Sequence, residues 1–181
     1  SSHHPAEVPL AKVVDLTITP TQILSQAQRA MGHGQYKKAL EQPKQLRSHC
    51  ENEQGPAKDH LCRCWQLRAL YLQGEVLRVN GDFHQAAHHF QRIQSIGATH
   101  NQPAVELRGL IELGKVQRDV EDYFAAYRTM TLAEEIVARA PQELASFRNE
   151  VLRISAALLS SIGVDTLAGQ KLAQAKEIAE A

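Results

Sequence analysis

From Pro20 onward, apolar positions return every three or four residues, the rhythm of amphipathic helices, and Gly, Asp or Pro breaks it at short intervals. One unit recurs within this pattern. A small or polar turn residue is followed two positions later by an aromatic, and an Ala lies three positions beyond that. The unit occurs at Gly34, Tyr36 and Ala39, at Gly81, Phe83 and Ala86, and at Glu121, Tyr123 and Ala126. A fourth copy, at Gly163 and Ala168, has Asp165 in the aromatic position. The aromatic positions are separated by 47, 40 and 42 residues, so the chain repeats at forty-odd residues. The pattern predicts four helix pairs, at 20–32 and 35–50, 58–80 and 82–97, 102–120 and 122–139, and 141–162 and 165–180. Pro20, Pro103 and Pro141 suit helix starts, where a missing N–H costs nothing, and Asp82 and Asp165 suit N-caps. Cys50 to Pro56 is polar and ends in Gly-Pro, which reads as a loop. Residues 1–19 lack the helical rhythm. There Val14, Leu16 and Ile18 alternate with polar residues, as in an extended or disordered leader or a segment that docks in a groove.

Composition narrows the class. Hydrophobic residues make up 43% of the 181 and charged residues 22%, the range of a globular chain. Ala, Leu, Gln, Glu and Arg dominate, all favourable in helices. Twenty basic residues balance twenty acidic ones, so nucleic acid is not an expected partner. No apolar run is long enough to span a bilayer, so no membrane partner is expected and a cytoplasmic location is. Cys50, Cys62 and Cys64 form no disulfide-like framework and read as structural thiols in a reducing compartment.

The recurring residues resemble tetratricopeptide repeats. The second pair carries Leu70, Gly74 and Leu77, then Gly81, Phe83, Ala86, Phe90 and Ile93. The third carries Leu110, Leu113-Gly114, Tyr123, Ala126, Met130 and Ala133. The first fits through Ala27, Tyr36, Ala39 and Leu46, with Pro43 where a large apolar residue is usual; a kink is expected there. The fourth fits through Ala156, Leu159, Ala168, Leu172 and Ala175. The resemblance implies an all-α, TPR-like α-solenoid of about four antiparallel pairs over 20–181, because no single pair can bury its own apolar stripe. It also implies a concave face lined by the first helix of each pair. With the Gly74 and Gly114 side buried, the residues facing inward are Arg68, Tyr71, Glu75 and Arg78, then Arg108, Ile111, Glu112, Lys115 and Arg118, then Arg153. That face is locally rich in Arg and suits an acidic or extended peptide. The plainer account is a solvated face with internal pairs such as Arg108 with Glu112. The family's Lys and Asn grip on a terminal carboxylate is absent, since Leu24, Gln28, Tyr71 and Ile111 stand at those positions.

Other constellations are weaker. His84 and His88 stand at the i,i+4 spacing that can hold a metal, with His89 beside them, but no third ligand is evident. His60, Cys62 and Cys64 read as structural, and Trp65 as core. No phosphate loop, nucleophile elbow or catalytic carboxylate motif is present, so neither an enzyme nor a cofactor is expected. The expected function is a protein- or peptide-binding module. The resemblance sets it as the regulatory or sensory part of a larger bacterial signalling protein, ahead of a diguanylate cyclase, kinase or transcription-regulator output domain. The uncapped helix at 170–181 fits such a continuation. The alternatives are a structural adaptor or self-associating homodimer, and a metal-binding protein through His84 and His88.

Overall fold

The computed structural model describes residues 20–39, 41 and 58–180, and every regular element among them is a helix. The leader at 1–19, the loop at 50–56 and the kink expected at Pro43 lie outside the described residues. The chain divides into two compact units, Ser1–Val76 and Leu77–Ala181.

In the first unit, α1 spans Pro20–Gly32, and α2 spans Lys58–Val79, with its last residues in the second unit. After α1 the chain turns at Gly34, whose φ of +72° is left-handed, and is helical again from Tyr36. Ala30, Ala39 and Val76 form a small core, with Met31 and Tyr36 packed against it. Cys62 is disulfide-bonded, so the expectation of three reduced structural thiols fails and with it the thiol argument for a reducing compartment.

The second unit contains α3 (Phe83–Thr99), α4 (Pro103–Asp119), α5 (Tyr123–Arg139), α6 (Ala145–Ile162) and α7 (Asp165–Glu180). Each packs on the next in chain order, and α4 also touches α6 directly. This is an all-α, α-solenoid-like arrangement of helix pairs. Its main core joins α4, α5 and α6 through residues such as Leu107, Ile111, Met130, Ile136, Val151 and Leu158. Among the described residues no helix is long and apolar enough to cross a membrane.

The repeated turn has a clear physical basis. Gly34, Gly81, Glu121 and Gly163 all have positive φ, and all end a helix in the same way. Gly81 N–H donates to Arg78 C=O and Asp82 N–H to Leu77 C=O; Glu121 and Asp122 repeat this with Arg118 and Gln117. Such paired bonds satisfy the last carbonyls of a helix and need a left-handed residue. In the second and third copies the next helix then begins from an aspartate. Asp82 accepts from Gln85 N–H and Asp122 from Ala125 N–H, both true N-caps. Asp165 is not one. It is the first residue of α7 and accepts from Ser160 Oγ, while Val164 holds the capping slot. Pro141 likewise does not begin a helix. Residues 141–144 form turns, and α6 starts at Ala145 after the buried Leu144.

The backbones of α3 and α4 come into direct contact. A Cβ on Gly97 would collide with the backbone of Glu106, and one on Gly109 with the backbone of Gln94. Two glycines, one from each helix, thus let the backbones touch. Gly114 is tight too, but against the flexible Met130 Cε.

Candidate functional site

The side chains with most chemistry lie on α4 and converge on Glu112. Its relative exposure is 1%, although it is flanked by the apolar Ile111 and Leu113 of the same buried stretch. Glu112 Oε1 accepts from Arg108 Nη1 at 3.2 Å, one helical turn before it, and from Lys115 Nζ at 3.2 Å, one turn after. Arg78 Nη1, from the end of α2, lies 3.9 Å from Oε2. That oxygen is buried and accepts no hydrogen bond. A single carboxylate is therefore ringed by three cations.

Two further carboxylates complete the network. Glu150 of α6 accepts from Lys115 Nζ at 3.1 Å and from Arg108 Nη1 at 3.4 Å on each of its oxygens. Asp119 accepts from Arg78 Nε at 2.5 Å. The Phe147 ring lies under the Arg108 guanidinium, 5.2 Å from centroid to Cζ, a cation–π contact. Among the interactions of the described residues, three cations face three carboxylates, so the positive charge of these arginines and lysine is balanced locally.

The sequence-predicted residues divide accordingly. Arg78, Arg108, Glu112 and Lys115 are brought together. Ile111 is not on this face, because it is fully buried in the core. Arg118 is half-buried with no ion pair among the described residues. Arg153 is exposed and donates to Asn149 Oδ1. Arg68, Tyr71 and Glu75 belong to the first unit, Arg68 exposed and the others half-buried. Glu150 was missed, yet the repeat marks it. It follows Arg108 by 42 residues, the same interval that separates Tyr123 from Asp165, so it holds Arg108's register with the opposite charge.

The remaining candidates stay apart from this network. His84 and His88 are exposed on α3 with ring centroids 5.9 Å apart, and His89 Nδ1 lies 2.8 Å from Gln85 C=O. Among the described residues no group of three or more metal-ligating side chains forms. Trp65 is half-buried, and the His60 side chain lies outside those described. A hollow of about 300 Å³ lies between α5, α6 and α7. Its lining includes Val137, Pro141, Arg148 and Leu152, and Glu134, also lining it, pairs with Lys171 at 2.5 Å. No protein-family model matches this chain, and no curated protein is significantly similar to it.

Proposed function

We propose that this chain is a tetratricopeptide-like module that binds a protein or peptide partner along the face formed by Arg78, Arg108, Glu112, Lys115 and Glu150. The buried Glu112 carboxylate carries this reading. Taking a carboxylate out of water costs several kcal/mol, and an apolar residue of similar volume is often at least as stable in such a place. What Glu112 provides is order. It fixes two long cationic side chains through hydrogen bonds and holds a third nearby, all on one face and all partly open to solvent. Side chains whose rotamers are already set lose less entropy when a ligand arrives. The fixed donors of Arg108 and Lys115 suit recognition of a polar or charged ligand. The family resemblance further supports a regulatory or sensory role within a bacterial signalling protein.

Selection of a displayed random-peptide library on the full chain tests the proposal. Enriched peptides should bind the wild type and lose about tenfold in affinity, roughly 1.4 kcal/mol, on the Arg108→Gln and Lys115→Gln double variant. Arg78 is a poorer target, because a Glu there would meet both Glu112 and Asp119. Helicity by circular dichroism should not change. Peptides that bind the double variant equally well would move the site elsewhere.

A further inference from the structure

We infer that Glu150 is an internal stand-in for a ligand carboxylate, held on the Arg108 and Lys115 cations until an acidic side chain of the partner replaces it. The inference rests on the peptide-binding reading above and specifies both the ligand chemistry and its regulation.

The two carboxylates that share these cations are not equivalent. Glu112 belongs to the same helix as both, one turn from each, and is buried. Glu150 comes from α6 and is 33% exposed. Its bond to Lys115, at 3.1 Å, is no longer than Glu112's, but its contacts to Arg108, at 3.4 Å, are longer than Glu112's 3.2 Å and than the usual 2.9–3.0 Å for N–H···O, so the Arg108 side is where it is held less firmly. Glu112 is the permanent partner and Glu150 the exchangeable one. The charge balance agrees. Arg78 has Asp119 at 2.5 Å, and Glu112 offsets only one of Arg108 and Lys115. Without Glu150 the pair carries one surplus positive charge on a partly open face.

The cations also have support that does not depend on Glu150. Glu112 holds both, and the Phe147 ring holds Arg108 from one side. Swinging Glu150 away thus leaves a formed carboxylate site, in which the arginine and lysine approach one anion from two sides. A carboxylate matches that geometry, since its two oxygens can each take a charge-assisted bond.

The test compares wild type, Glu150→Gln and Glu150→Ala for binding of an N-acetylated hexaglutamate peptide at low ionic strength, by calorimetry. Removing the internal competitor should tighten binding by about fivefold, the value of one partly exposed charge pair near 1 kcal/mol. Adding Lys115→Met to either variant should abolish the gain. Weaker binding by both Glu150 variants would overturn the inference, since Glu150 would then contact the ligand itself, yet the peptide-binding reading would stand. Failure of all three proteins to bind hexaglutamate would overturn the carboxylate assignment, and the library selection judges the broader reading separately. Unchanged urea midpoints for the Glu150 variants exclude a folding artefact.

Discussion

Glu121 occupies the left-handed position that glycine holds in the other three copies of the turn, with φ of +63°. A residue with a Cβ pays roughly 1–2 kcal/mol there, because the side chain crowds the following carbonyl. Glycine avoids that cost but gives the unfolded chain more freedom, which returns part of the gain. Glu121→Gly should therefore stabilise the protein by about 0.5–1 kcal/mol, read as a higher urea midpoint with an unchanged slope. Glu121→Ala, which keeps the Cβ, should leave the midpoint within about 0.5 kcal/mol of wild type. Equal behaviour of the Gly and Ala variants would show that φ is not what this position pays for. The turn itself was legible in the sequence, since its Gly or polar residue precedes the aromatic at a fixed distance. The left-handed geometry at Glu121 was not, because Glu carries no signal for positive φ.

At the scale of elements, the helices were legible from their apolar rhythm, but their ends were legible only where a cap marks them. Asp82 was read correctly as an N-cap, while Asp165 was misread because the capping slot of that copy holds Val164. Pro141 was misread because proline is as much at home in the turns that precede α6 as at a helix start. The small residues were partly legible. Gly74 and Gly114 stood in the repeat pattern, but Gly97 and Gly109, where α3 and α4 come closest, fall outside it. A mid-helix glycine says that something approaches, not what. The three close-packed glycines Gly97, Gly109 and Gly114 should therefore respond differently to one substitution. Gly97→Ala and Gly109→Ala each drive a methyl into a neighbouring backbone, which cannot yield without moving a helix, and should cost about 1–3 kcal/mol. Gly114→Ala meets only the end of Met130, and its gain in helix propensity, about 1 kcal/mol, should offset the repacking. Chemical denaturation of the three variants ranks them. A Gly114→Ala variant as unstable as Gly97→Ala would show that Met130 is not free to move aside.

Across the whole molecule, the inner-face set was legible to the extent that register determines it. Arg108, Glu112 and Lys115 follow from helical spacing, and Arg78 joins them at the end of α2. Ile111 was misplaced because one residue is 100° of helix, enough to move a side chain from a solvated face into a core. Glu150 was missed because its pairing depends on the stacking of α6 beside α4, which a helical wheel does not contain. The depth of Glu112 was hidden for the same reason, and it leads to the most discriminating experiment. If Glu112 served stability, removing its charge would be severe. Its partners, however, keep other carboxylates: Arg108 and Lys115 retain Glu150, and Arg78 retains Asp119. Glu112→Leu therefore leaves Arg108 and Lys115 sharing Glu150, with one positive charge unbalanced but partly open to solvent, fills a site already bounded by apolar neighbours and removes a buried oxygen without a hydrogen bond. It should leave stability within about 1 kcal/mol of wild type or raise it slightly, because the cations left behind are partly open to solvent and keep other carboxylates. The same substitution should loosen Arg108 and Lys115 and weaken binding of the selected peptides. Affinity from titration should then fall while stability from urea unfolding holds, as expected when a buried charge is kept for recognition. A loss of more than about 3 kcal/mol, the cost of breaking a needed buried pair, would make Glu112 a structural residue and remove the observation on which the binding proposal stands.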